Sequence, residues 1–175
     1  MRLALLAALP VAACLARPAA AQAIPARAVL LENVERSRQN VLKYVDAAPD
    51  SVLRYRLMPG VRTFGEQVEH AAGATTFIIA AAWKVKLAPP AGDTAARRRD
   101  KAALRGFVNE RYDAFAGAVR AATPQQLSAP ATYAGTTAAG WRWVDTALEH
   151  ATWTLGQTVP YLRANGVKPP QYLPF

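Results

Sequence analysis

Apolar residues recur along this chain at helical spacing, and the recurrence stops only where proline, glycine or a capping residue interrupts it. In residues 28–47, Val29, Leu30, Val34, Val41, Leu42 and Val45 keep the helical interval until Pro49-Asp50 ends the segment. After a connector over residues 51–60, Thr63-Phe64-Gly65-Glu66 has the T-x-x-E form of a capping box. The helix it starts runs to residues 82–85. Phe64, Val68, Ala71, Thr75, Ile78 and Ala82 lie on one face, and Glu66, His70, Gly73 or Ala74, Phe77 and Ala81 form a neighbouring stripe.

A loop, Ala88-Pro89-Pro90-Ala91-Gly92-Asp93, precedes a third helical segment over residues 94–122. Leu104, Phe107, Val108, Tyr112, Phe115 and Val119 face inwards there, and Thr123-Pro124 ends it. Residues 125–139 read as a polar crossover. The fourth segment covers residues 140–164, with a kink predicted at Pro160, a left-handed cap at Gly166 and an exit at Pro169-Pro170. No alternating run of β-branched and aromatic residues is bounded by hairpin turns. Much of the 52% hydrophobic content is alanine, the best helix former, which favours closely packed helices. The expected fold is all-α: a four-helix bundle of helices about 30 Å long, in one domain.

Residues 1–23 have a different character. Arg2 is a short positive region, residues 3–16 are apolar, and Ala21-Gln22-Ala23 has the A-x-A form of a cleavage site. The apolar run is shorter than the roughly 20 residues a membrane span needs. The expectation is a cleavable signal peptide over 1–23 and a folded domain over 24–175, exported to the periplasm or secreted. Val11-Ala12-Ala13-Cys14 also looks like a lipobox, in which Cys14 is the lipid attachment point of an anchored lipoprotein, so both processing routes stay open. Cys14 is the chain's single cysteine, so the domain has no disulfide framework and no thiolate ligand or nucleophile.

The formal net charge is +9, or +7 once Arg2 and Arg17 are removed. Lys84, Lys86, Arg97, Arg98, Arg99, Lys101 and Arg105 supply a basic cluster. Charge alone admits nucleic acid as a partner, but the export signal and the lack of interleaved aromatics disfavour it. A solvated helix start near an anionic lipid or ligand is the simpler reading of Arg97–Arg99.

Two histidines are present, His70 and His150. On the fourth segment Trp143, Ala147, His150, Thr154, Gln157 and Tyr161 form one stripe. Histidines on facing helices are the material of a metal site in a helical core, and also of ordinary hydrogen-bonded packing. Glu66, one turn before His70, is a candidate third ligand or simply a helix cap. The four tryptophans read as core or rim packing, and Gln157, Tyr161 and Arg163 as residues that close the helix end.

Two motifs carry a family resemblance. The run Thr63 to His70 resembles the first metal-ligand motif of the DinB/YfiT-like proteins, with His70 on the ligand position. His150, Gly156-Gln157, Tyr161-Leu162-Arg163, Asn165-Gly166 and Pro169-Pro170 resemble the family's second motif, a His-x-x-x-His pair with its following frame. Thr154 stands where the second histidine of that pair belongs, and Leu155 where an aromatic is usual.

The resemblance implies a DinB-like four-helix bundle with a partial, two-histidine site for a divalent transition metal, zinc or nickel foremost. It also implies a metal-dependent transferase or hydrolase-like activity on an unknown small molecule. The alternative is a non-catalytic bundle that binds a small ligand, a lipid or a protein partner through the degenerate site. Membrane-surface association follows if Cys14 is acylated, and a homodimer stays open.

Overall fold

The computed structural model describes residues 23–174. The expected signal peptide and the Cys14 attachment point therefore lie outside the described residues, apart from Ala23. Helix α1 (Arg27–Ala47) is followed by a single turn, α2 (Asp50–Leu53). The capping box then starts α3 (Phe64–Trp83): the Thr63 hydroxyl accepts from the Glu66 backbone N–H, and the Glu66 carboxylate accepts from the Thr63 N–H at 2.8 Å. Asp93 caps α4 (Thr94–Arg97), and Asp100 caps α5 (Lys101–Ala121). A short α6 (Pro124–Ser128) leads into β1 (Pro130–Tyr133) and β2 (Thr136–Ala139), and α7 (Gly140–Gly156) and α8 (Val159–Ala164) complete the order.

The expected all-α four-helix bundle is corrected. Among the described residues there are eight helical segments and a two-stranded antiparallel sheet. Residues 94–122 divide into two helices because Asp100 offers its carboxylate to the Ala103 N–H at 2.7 Å, restarting the helix. The fourth segment divides as well: α7 stops at Gly156, and Pro160 sits in the first turn of α8, where its missing N–H costs nothing.

The supposed polar crossover contains the hairpin. Its turn, Ala134-Gly135, has φ of +49° and +77°, the pair of positive values that matches the twist of a two-residue hairpin. Thr132 and Thr137 face each other across the strands with their hydroxyls 2.8 Å apart. Four-residue strands are marginal alone. Here the flanking helices support them: Trp143 Nε1 donates to the Ala131 carbonyl at 3.0 Å, and Tyr133 packs edge-on between Phe77 and Trp143.

The long helices pack in the ring order α1, α5, α3, α7, with α3 resting most extensively on α7. The chain therefore crosses the core between α5 and α7, which explains the long connection there. Each helix lays its apolar stripe into a shared core. Leu30, Val41 and Val45 come from α1, Phe64, Val68 and Ile79 from α3, and Leu104, Tyr112 and Phe115 from α5. Each large side chain so buried contributes about 1.5–3 kcal/mol. The buried Tyr112 hydroxyl is satisfied by Ser37 at 2.7 Å. At the far end, Gly166 adopts φ +71°, with its N–H on the Arg163 carbonyl and the Val167 N–H on Leu162, so the predicted left-handed cap is present. The tail then returns to α1, where Asn40 exchanges two hydrogen bonds with the Leu173 backbone.

Candidate functional site

The second stripe of α3 faces a cavity of about 600 Å³, open to solvent, which Glu66, Glu69, His70, Gly73 and Phe77 help to line. That volume lies within the roughly 300–1,000 Å³ of small-molecule sites. The loop before α3 supplies Arg62 and α4 supplies Arg97 and Arg98, while Phe107 of α5 closes one side. The Arg62 loop is fixed from behind, because the Tyr161 hydroxyl of α8 donates to the Arg62 carbonyl at 2.7 Å.

His70 and His150 come together. Their ring centroids are 5.1 Å apart and their planes are inclined at 77°, so one imidazole presents its edge to the other. His70 lines the cavity, and His150 of α7 stands against its ring. The His150 Nδ1 is buried without a hydrogen-bond partner among the described residues. Desolvation, and after it the Arg62 charge, hold both imidazoles below the ordinary histidine value, with His150 adding to the effect on His70. Both are thus neutral at neutral pH.

The carboxylates are already engaged. Glu66 accepts from Thr63 and pairs with Arg56 at 3.2 Å and Arg98 at 3.3 Å. The Thr63 backbone hydrogen bond, supported by those two arginines, holds its carboxyl below the usual value. Glu69 is gripped by Arg97 at 3.0 Å and Arg98 at 2.6 Å. Arg97 is only 6% exposed, and it also donates to the Ala91 and Gly92 carbonyls and lies 4.6 Å over the Phe107 ring. The reading of Arg97 as part of a solvated helix start is corrected, because the guanidinium is buried and satisfied on all sides. Arg62 differs: it is exposed, and its side chain forms no ion pair or hydrogen bond among the described residues.

The expectation of a metal-binding protein is also corrected. Among the described residues no group of three or more His, Cys, Asp and Glu side chains stands together to hold a metal ion. Glu66 serves its cap and two arginines, Thr154 is buried, and the Arg62 guanidinium beside the imidazoles repels a cation. Two imidazoles alone fall short of the protein ligands a zinc centre ordinarily has.

Sequence reasoning missed Arg62, Glu69 and Gln67. Gln67 Nε2 donates to Gln157 Oε1 at 2.6 Å and reaches the Thr154 carbonyl at 3.5 Å, tying α3 to the end of α7. This gives the Gly156-Gln157 step its role. Glu69 was available as the neighbour of His70 on the same helix. Arg62 had no periodic signal, because it precedes the helix. Of the tryptophans, Trp141 and Trp143 are buried and Trp83 Nε1 bonds the Gly140 carbonyl, whereas Trp153 is 73% exposed and packs nothing into the core.

Long helices in this ring order, with a histidine pair beside a surface cavity, define a helical protein of the DinB-like class. Two solved structures share the fold. A DinB-like protein from Bacillus cereus ATCC 10987 superposes with a TM-score of 0.69 at 18% identity, over 82% of this chain and 95% of that one. A DinB-like protein from Bacillus subtilis, YjoA, gives a TM-score of 0.64 at 14% identity, over 82% and 97%. The model of the DinB superfamily matches residues 33–157, from within α1 to the end of α7, and the chain belongs to that superfamily. No curated protein matches it.

Proposed function

We propose that this DinB-superfamily chain binds a small organic anion in the cavity beside His70, as a ligand-binding protein. The observation that carries this reading is Arg62. Four guanidiniums line the cavity, those of Arg56, Arg62, Arg97 and Arg98, against the two carboxylates of Glu66 and Glu69. Arg56, Arg97 and Arg98 are consumed by those carboxylates, which leaves Arg62 as the cation offered to a ligand. A carboxylate or phosphate there gains a charge-assisted hydrogen bond. His70, neutral and on the cavity wall, adds one ring N–H as a donor. With residues 1–23 acting as an export signal, the ligand is met outside the cytoplasm. Mass spectrometry of the natural N-terminus distinguishes cleavage after Ala23 from acylation at Cys14.

Titration calorimetry with butanoate and with butyl phosphate tests the reading. Saturable binding of at least one anion is expected, weakened by about tenfold or more in Arg62→Ala, the scale of a hydrogen bond to a charged group. Because Arg62 is exposed, affinity also falls as ionic strength rises. Absence of saturable binding to both anions, or binding indifferent to Arg62→Ala, overturns it. So does stoichiometric uptake of zinc that His70→Ala and His150→Ala abolish.

A further inference from the structure

The cavity beside His70 does not end at Phe77. A second hollow of about 290 Å³ continues along α3, and Gly73, Phe77, Pro90 and Phe107 belong to both. The two are one groove whose halves differ in chemistry. The first half carries Arg62, Arg98 and His70. The second is walled by Phe77, Ala80, Leu87, Ala88 and Pro90, with Arg111 as its single charged residue. That charge is not offered to the groove: the Arg111 side chain is 4% exposed, bonded to the Ala88 carbonyl at 3.0 Å and paired with Glu110 at 2.6 Å.

Resting on the anion reading, we infer that the ligand is amphiphilic: an organic anion whose charged head meets Arg62 and whose medium-length hydrocarbon tail lies in the groove beyond Gly73. Charge complementarity fixes the direction, because the cation excess is confined to the Arg62 end. Length agrees with it, since Gly73 to Ala80 spans about 10 Å of helix. Phe77 gives the tail a surface to cover. Phe77 is 63% exposed, and Tyr133 of the hairpin meets its ring edge-on at 6.1 Å. Gly73 forms the waist between the halves. A Cβ placed there has only Phe107 Cζ as a neighbour, at 3.7 Å, so the groove is open where a longer side chain would project.

The test is calorimetric titration of the protein with butanoate and octanoate. A fully buried methylene is worth about fourfold in affinity, and a groove open on one side removes about half of that area from water, so the four extra methylenes of octanoate should make it bind about fifteenfold tighter than butanoate. Ala80→Leu, at a residue that lines only the second hollow, should block the tail while leaving butanoate binding within about twofold of the parent, so that the chain-length gain disappears. Phe77→Ser should cut the same gain, with a melting temperature lower by a few degrees because Tyr133 loses its ring contact. Equal affinity for the two probes overturns the tail inference and leaves the anion reading standing. Failure of both probes while butyl phosphate binds overturns the tail inference alone, and failure of all three overturns the two together. A chain-length gain that survives both variants, or capture by anionic phospholipid vesicles without any binding of soluble octanoate, overturns the assignment to this groove.

Discussion

His70 of α3 and His150 of α7 meet edge to face at 5.1 Å, two neutral imidazoles with the Arg62 charge beside both. Their contact has a consequence for stability. Both are held below the ordinary histidine value of 6.5, chiefly by desolvation, so the unfolded chain takes up these protons first as pH falls. Stability is therefore level above about pH 6.5 and declines below it as the unfolded state is protonated. Urea midpoints should be lower at about pH 5.5 than at about pH 7.5, and His150→Leu should shrink that difference. An unchanged difference in the variant would remove the histidine pair from the account. Because the buried Nδ1 of His150 lacks a partner, the same variant should lose no more than about 1 kcal/mol at neutral pH.

The capping box makes a second prediction. Thr63→Ala and Glu66→Ala should each cost about 1 kcal/mol in chemical denaturation. The double variant should cost less than the sum, since the two residues serve one reciprocal motif. The Glu66 carboxyl is held low, first by the Thr63 backbone and then by Arg56 and Arg98. Its contribution is present above the ordinary value of 4.5 and is lost as pH falls through the depressed folded value. In Glu66→Gln this loss on acidification should be smaller than in the parent.

Arg97 and Glu69 form the least exposed ion pair at the cavity, with side chains 8% and 13% exposed. Arg97→Ala opens the space over Phe107 and frees the Ala91 and Gly92 carbonyls. A cost of about 3 kcal/mol is expected, because removing one partner of a buried pair strands the other. Retained pairing of Glu69 with Arg98 sets the value at the low end of that range. A melting temperature lower by about 6–12 °C checks it.

Gly140 stands at the junction of the hairpin and α7. A Cβ there would lie 1.9 Å from the Gln126 backbone carbonyl, so neither side can yield by rotating a side chain. Gly140→Ala should therefore cost about 3 kcal/mol, the upper range for overpacking, and differential scanning calorimetry should show it as a lowered transition. Gly156→Ala, with nothing near its Cβ, should move it by less than about 1 kcal/mol in either direction.

The parts of the fold that local chemistry controls were legible in the residues. The capping box at Thr63-Glu66, the end of α1 before Pro49 and the left-handed Gly166 each depend on a few adjacent residues, and each stands as read. The hairpin was not legible. Ala134-Gly135 lacks the asparagine or aspartate of the commonest two-residue turn, and the strands owe their support to Trp143 and Phe77 on other elements. The breaks at Asp100 and Gly156 were missed for a related reason: apolar spacing carried the helical pattern across both. The charge run 97–99 misled as well, because a sequence does not show that Glu69, on another helix, waits for Arg97.

By itself the sequence determined the helical character and the stripe of α3 that became the cavity wall. Those are consequences of spacing and of side-chain chemistry along one helix. Only the tertiary structure decided that His70 and His150 touch, that Glu66 and Glu69 are spent on arginines and that Arg62 is not. Pairing of charges depends on which helices become neighbours, and the ring order α1, α5, α3, α7 sets that through packing of the whole core. On the proposed reading, the same arrangement suits the site to an anion, since an exposed guanidinium stands beside two neutral imidazoles.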